Sequence, residues 1–283
     1  MIQESTLYVV ATPIGNLRDI SLRALDVLKA VDVIAAEDTR NSRKLLVHYS
    51  ITKKMIALHQ HNERVASKKI LSLLEAGKSV AYITDVGTPG ISDPGAILVN
   101  LAKEKYCVVP VPGANAALCA LSAAGISTAH FLFYGFLPAS KGTRRRKLEE
   151  IKSSPYVLVF YEAPHRILDC IEDLTEVLGA DREITIGREL TKLFETIHTC
   201  ALRDALVWLN ADTNQQKGEF VLIISGAEVP DKSRISNQAE HTLKLLLKEL
   251  PLKQAVKLTS DITNENKNQL YKMALLLKEG EGN

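Results

Sequence analysis

Short apolar runs separated by amphipathic stretches of about ten residues set the rhythm of this chain. Residues 6–11 (TLYVVA), 31–36 (VDVIAA), 55–58 (MIAL), 80–84 (VAYIT) and 106–111 (YCVVPV) read as buried strands. Between them, Leu22, Leu25, Val27 and Leu28 recur at helical spacing behind Ser21 as N-cap, and 43–49 continues as a short helix. Residues 63–76 place Ile70, Leu71, Leu73 and Leu74 inward and close on Gly77, and 96–105 adds one more helix. Such regular alternation predicts a mostly parallel sheet with helices on both faces.

A second α/β unit follows. Residues 131–136 (FLFYGF), 156–161 (YVLVFY), 183–187 (EITIG) and 220–225 (FVLIIS) are its strands, paired antiparallel or mixed. The Ala-rich AALCALSAAG after 112–115, the stretch from Lys141, 167–178 and 202–209 are its helices. The small residues of AALCALSAAG suit tight helix packing or close approach of a ligand, and its first amides are free to face a carboxylate. The polar stretch 227–238 reads as a linker. Residues 242–250, 253–261 and 268–277 then form three short helices, with a turn that fits a helix-turn-helix. The expected fold class is α/β: two α/β domains, 1–112 and 113–230, facing across a cleft, plus a small helical domain, 231–283.

Composition narrows the function classes. At 283 residues, with 46% apolar and 24% charged positions, the chain supports about two globular domains. The net charge of +2 is close to neutral, so only local clusters speak to nucleic acid. Cys107, Cys119, Cys170 and Cys200 lie far apart with no C-x-x-C pair, and read as four buried thiols in a reducing compartment. No basic-then-apolar leader opens the chain and no apolar run approaches the ~18 residues of a membrane span, so a cytoplasmic protein is expected.

The candidate chemistry sits at strand ends. After 80–84, eleven positions hold Asp85, Gly87, Thr88, Pro89, Gly90, Ser92, Asp93, Pro94 and Gly95, a density that shapes a backbone-lined concavity. In open α/β sheets ligands bind beyond the carboxyl ends of the strands. The loop at 12–17 carries one glycine, so it is neither a dinucleotide fingerprint nor a phosphate loop. Glu37-Asp38-Thr39-Arg40 either positions a cation or hydroxyl, or is the acidic start of a helix. His59 and His61 lack a third ligand, so no metal is expected. Further polar strand ends lie at 161–166, 188–195 and 218–219. Over 141–152, six Lys/Arg face two Glu, a local +4 that reads as a phosphate-binding patch or a solvated helix face.

The ordered motifs ATPIGNL, AAEDTR, TDVGTPGISDPG, PVPGANAALCALSAAG, FYGFLP, FYEAPHRI, GRELTKLFET and KGEFVLII, with LPLKQAV and NQLY in the tail, resemble the ribosomal RNA small subunit methyltransferase I group of the tetrapyrrole methylase superfamily. The resemblance implies S-adenosylmethionine as methyl donor, the 2′-hydroxyl of a cytidine in the decoding region of small-subunit (16S) rRNA as acceptor, no metal and a homodimer. The 30S subunit or its rRNA would be the partner. By position, Asp85, Gly87, Thr88, Pro89, Ile91, Ser92 and Asp93 would hold the donor. Pro13, Asn115, Ala116, Ala117, Tyr161, Glu162, Arg188, Glu189, Gly218 and Glu219 match other cleft-facing positions. The superfamily's small-molecule members carry G-D-P where this chain reads D-V-G-T-P. Among possible bases (Glu37, Asp38, His59, Asp85, Glu162 and Glu195), the acidic strand ends Glu37, Asp38 and Asp85 rank first, because carboxylates also complement the donor's charge. Lys141, Arg144, Arg145, Arg146, Lys147, Lys253 and Lys257 are the candidate RNA contacts, since an rRNA substrate explains a basic helix and tail. The alternatives are methylation of a porphyrin-like small molecule and non-catalytic RNA binding.

Overall fold

The computed structural model describes residues 2–127, 130–227, 235 and 237–280. Contacts divide the chain into two units, Met1–Ala227 and Glu228–Asn283. Residues 228–234 and 236 of the linker expected over 227–238 lie outside the described residues.

The first unit begins with β1 (Thr6–Val10), α1 (Leu22–Ala30), β2 (Val33–Ala36), α2 (Thr39–His48), β3 (Lys54–Ala57), α3 (Glu63–Glu75), β4 (Val80–Ile83), α4 (Ala96–Ala102) and β5 (Cys107–Val111). The strands form a sheet of order β3-β2-β4-β1-β5, all pairings parallel, as the strand–helix alternation predicts. Side chains alternate across a strand. Leu7, Val33, Ala35, Val80 and Tyr82 therefore pack on one face with Ile70, Leu74 and Leu98. Tyr8, Val10, Ile34, Ala36, Ala81 and Ile83 pack on the other with Leu28 and Leu46. Burial on both faces is why the central strands read as unbroken apolar runs. At the sheet edge β5 is less covered, and Cys107 on it is exposed; Cys119 and Cys200 are partly exposed and only Cys170 is buried. The expectation of four buried thiols is corrected accordingly.

The unit continues with α5 (Ala116–Ala123), β6 (Phe131–Phe136), α6 (Lys141–Ile151), β7 (Val157–Glu162), α7 (Ile167–Leu178), β8 (Glu183–Arg188), β9 (Thr196–Ala201), α8 (Leu202–Ala211) and β10 (Phe220–Ile224). This sheet has order β6-β7-β10-β8-β9. β6 and β7 are parallel, with a bulge between Phe133 and Gly135, and the remaining pairs are antiparallel. The sequence does not predict β9. It is a half-buried edge strand whose Thr and His residues carry no apolar run, held by its register with β8 and by His198 stacked on Trp208 at 4.4 Å. Val157, Val159, Val221 and Ile223 pack with Ala117 and Ala120 of α5. A Cβ on Gly187 would stand 3.4 Å from the Ala120 Cβ, so the small residues of α5 serve close packing on the sheet.

The second unit holds α9 (Asn237–Glu249), α10 (Leu252–Thr263) and α11 (Lys267–Gly280). Ala239, Leu243, Ala255, Val256, Leu270 and Ala274 form its core. Lys253 and Lys257, one turn apart on α10, are exposed. No helix among the described residues is long and apolar enough to cross a membrane.

Candidate active site

The loops leaving β1 and β4 are tied together at their roots. The Thr12 N–H donates to the Gly87 carbonyl at 2.9 Å and the Gly87 N–H to the Thr12 carbonyl at 3.1 Å. Gly87 adopts φ +76°, a conformation that favours glycine. The far end of the β4 loop is clamped from below. Buried Glu63 of α3 accepts from the Gly95 and Ile97 N–H groups, each at 2.9 Å, and the Tyr82 hydroxyl donates to the Pro94 carbonyl at 2.7 Å. At the β6 bulge, Gly135 approaches so closely that a Cβ there would lie 2.6 Å from Ser92 Oγ. The β4 loop thus reaches the second sheet as a rigid wall.

Where the two meet, a cavity of about 320 Å³ opens, within the usual range for small-ligand sites. The β4 loop contributes Gly87, Thr88, Ile91, Ser92 and Asp93; the start of α5 contributes Asn115 and Ala116; the end of β7 contributes Tyr161 and Glu162. Glu219 joins them because β10 runs antiparallel to β7, so that its start lies beside the end of β7. These ten residues are among those the sequence nominates. Ile14, Val86, Phe136, Ala163, Pro164, Leu190, Phe220 and Val221 complete the lining and were not nominated. They are mostly apolar, and only their adjacency to the quoted motifs signals them.

Other nominated residues stand elsewhere. Pro13 and Pro89 are buried outside the lining. Ala117 is buried too, and its N–H donates to the Tyr161 hydroxyl at 3.2 Å, while the Leu118 N–H donates to Asn115 Oδ1 at 3.1 Å. Two α5 amides expected to await a carboxylate are therefore already paired. Arg188, Glu189 and Gly218 line a separate, more open depression with Trp208 and Asn214. The Arg188 guanidinium donates to the Phe194 and Asn214 carbonyls at 2.8 and 2.9 Å, and Glu189 pairs with Lys192 at 2.7 Å.

Glu37, Asp38 and Asp85 form a hydrogen-bonded set at the ends of β2 and β4 and do not line the cavity. The Asp85 N–H donates to Glu37 Oε2 at 3.3 Å, while the Asp85 carboxylate accepts from the Asp38 N–H at 3.2 Å and Asn41 Nδ2 at 3.0 Å. Asp38 is the N-cap of α2, accepting from the Arg40 N–H at 2.8 Å. That bond holds Asp38 below the ordinary carboxylate range, whereas burial raises Glu37 against the opposing Asp85 N–H. Burial, reinforced by Glu37 and Asp85 and opposed by a Thr84 hydrogen bond, pushes Asp93 up to about 7. Glu162 is fully buried, accepting from the Ala163 N–H at 2.8 Å and pairing with Arg166 at 3.1 Å. Of the other possible bases, Glu195 accepts from the Thr191 N–H and lies in the second depression.

The basic stretch on α6 divides. Arg144 is 2% exposed and pairs with buried Asp173 at 2.6 Å, so it is a core ion pair and not a surface contact for RNA. Arg145 pairs with Asp173 and Glu176, and Lys147 with Glu150. Lys141 and Arg146 are exposed, and no ion pair engages either among the described residues.

Two open α/β sheets with a cavity at their adjoining strand ends define the class. The family model of tetrapyrrole (corrin/porphyrin) methylases matches residues 6–206, and one described as the RsmI C-terminal HTH domain matches 234–278. The methyltransferase CobJ shares the fold, with a TM-score of 0.59 and 18% identity over 81% of this chain and 96% of that one. Ribosomal RNA small subunit methyltransferase I of Pseudomonas aeruginosa is 48% identical over 272 residues, 95% of this chain and 96% of that protein. Its counterpart in Escherichia coli O157:H7 is 47% identical over 273 residues, 96% and 95% of the two. The chain belongs to the ribosomal RNA small subunit methyltransferase I family, within the tetrapyrrole methylases. Methyltransferases of this family use S-adenosylmethionine. The donor set of the cavity fits that molecule. Apolar walls (Ile14, Leu190, Phe220 and Val221) suit a purine, and Asp93, which has no ion-pair partner among the described residues, places a carboxyl group where the donor's positive charge would lie.

Proposed function

We propose that this chain methylates the 2′-hydroxyl of a cytidine in the decoding region of small-subunit rRNA, acting as a homodimer. The observation that carries the reading is the cavity itself, whose wall gathers the four motif segments 87–93, 115–116, 161–162 and Glu219 from separate strand ends. Bound S-adenosylmethionine supplies an electrophilic methyl group on a positively charged sulfur. Gly87, Thr88, Ile91 and Ser92 would form its backbone-lined side, with Asn115, Ala116, Tyr161, Glu162 and Glu219 opposite. Tyr161 is fixed for this role by the Ala117 N–H and by ring contacts with Phe133 and Phe136 at 5.0 and 5.6 Å. Holding donor and acceptor in line supplies most of the rate in such transfers. The proposed organisation is two α/β domains, 1–112 and 113–230, and a helical domain, 231–283; sheets spanning 6–111 and 131–224 support it. Mapping of ribose methylation on rRNA from cells lacking the protein tests the reading: one 2′-O-methyl group should vanish, and unchanged rRNA would sink it.

RNA contact falls to Lys141 and Arg146 on α6 and to Lys253 and Lys257 on α10. Only four residues separate cavity-lining Phe136 from Lys141. The double charge reversal Lys141→Glu, Arg146→Glu is expected to raise KM for rRNA roughly tenfold and to lower its salt dependence, as for lost phosphate contacts. Donor affinity in calorimetry should not change. Equal loss of donor and RNA binding would contradict the assignment.

A further inference from the structure

The AAEDTR motif ends in a helix whose charge is entirely of one sign. Residues 39–54 hold five Lys/Arg and no Asp or Glu, whereas 141–152 hold six against two. Three of the five, Arg40, Arg43 and Lys44, lie on α2 together with Val47 and His48. At 3.6 residues per turn these five positions share one face. All five are exposed, while Ser42, Leu45 and Leu46 are buried behind them. No ion pair engages Arg43 or Lys44 among the described residues. Arg40 meets Asp38 at 3.5 Å with its own side chain 90% exposed, and so open a pair holds it weakly.

The helix is also fixed beside the cavity without forming part of it. Asp85, at the root of the β4 loop, accepts from the Asp38 N–H at 3.2 Å and from Asn41 Nδ2 at 3.0 Å. Leu45 and Leu46 pack with Ile34 and Ala36 of β2. The Tyr49 hydroxyl donates to the Leu17 carbonyl at 2.6 Å, next in the chain to exposed Arg18. Val86 and Gly87, which follow Asp85, line the cavity, and no residue of α2 does. Because α2 carries the chain back to the start of the parallel strand β3, its basic face begins at that strand end and leads away from it. At 1.5 Å per residue the face is about 12 Å long.

We propose that the exposed face of α2 is an RNA-docking surface, on which Arg43 and Lys44 hold backbone phosphates of the substrate strand. The proposal rests on the rRNA substrate read above. A phosphate backbone is the partner this face fits, since it meets cations without counter-charges on successive turns, and the two-thirds-exposed Val47 offers contact to a sugar or base. Lys141 and Arg146 stand on the side of the second sheet, so a strand entering the cavity is held from both sheets. The cluster of Glu37, Asp38 and Asp85 then has a part of its own: it pins the first turn of the docking helix to the loop that walls the cavity.

The double charge reversal Arg43→Glu, Lys44→Glu tests this with 30S subunits in kinetics and with protein-free small-subunit rRNA in binding. KM for the subunit and Kd for the rRNA should each rise roughly tenfold. The slope of log Kd against log salt should flatten by about 1.4, two contacts at ~0.7 each on single-stranded RNA. Saturating kcat, melting temperature and the Kd for S-adenosylmethionine should not change. Arg43→Gln, Lys44→Gln adds no repulsion, and should flatten the slope equally with a smaller loss of affinity. Unchanged rRNA affinity and slope in both variants overturn the proposal. So does lost activity on the 30S subunit with rRNA affinity intact, because the contact would then be to a ribosomal protein. Wild-type protein that neither binds nor methylates rRNA overturns instead the substrate reading on which the proposal rests.

Discussion

Asp173→Ala is expected to destabilise the protein by about 3–5 kcal/mol, read from urea unfolding at constant m. The Asp173 side chain is fully buried, and its two oxygens accept from Arg144 Nε and Arg145 Nε, each at 2.6 Å. Arg144 also donates to the carbonyls of Ala139 and Asp169, so α6, α7 and the turn before α6 meet on one guanidinium. Removing the carboxylate leaves that cation buried without a counter-charge, which costs far more than the loss of an exposed pair. Arg146→Ala, three positions from the exposed Glu149, should by contrast stay within about 0.5 kcal/mol of wild type. A loss below about 1 kcal/mol for Asp173→Ala would mean that Arg144 reaches water, and would return it to the candidate RNA contacts.

Gly95→Ala is expected to cost roughly 2–5 kcal/mol, combining backbone strain with overpacking, and to weaken donor binding at least tenfold. Gly95 sits at φ +116°, and a Cβ on it would lie 2.2 Å from Tyr82 Cε1. Tyr82 cannot yield, because it is completely buried and its hydroxyl is held by the Pro94 carbonyl. The displacement must then pass into the loop that carries Gly87 to Asp93, which walls the cavity. Gly90→Ala is the control: φ there is +80° with nothing within 4 Å of the added carbon. It should cost only the strain, about 1–2 kcal/mol. Calorimetry with S-adenosylmethionine, on variants checked for folding, reads both effects; unchanged melting and donor affinity in Gly95→Ala would refute the clamped loop.

Much of the molecule was legible before its structure. The runs at β1, β2 and β4 are buried on both faces, so period and composition alone mark them as central parallel strands. The Gly- and Pro-dense loop after β4 announces a shaped strand end, and it supplies six lining residues of the cavity, Val86 among them. β9 was not legible, because an edge strand is stabilised by one neighbour and can afford polar side chains on both faces. Glu63 gave no sign of its part. It reads as the first acidic residue of a helix, yet its carboxylate serves backbone amides more than thirty residues downstream. The acidic strand ends Glu37, Asp38 and Asp85 rank first as bases in the sequence, yet they bond mainly to one another and to the start of α2, outside the cavity lining.

The sequence by itself determined the order of the helices and of every strand but β9, the loops dense enough to shape a site, and, through its motifs, the family. Those properties are local, being written in period, in turn chemistry and in residues close along the chain. Only the tertiary structure decided which polar groups are available. Arg144 is spent on Asp173 across 29 positions and Glu162 on Arg166, while Asp93 lies half-buried in the cavity wall with no ion-pair partner among the described residues. Burial and partnership depend largely on how separate elements pack, and they decide whether a carboxylate holds the fold together or stays open to a ligand in the cavity.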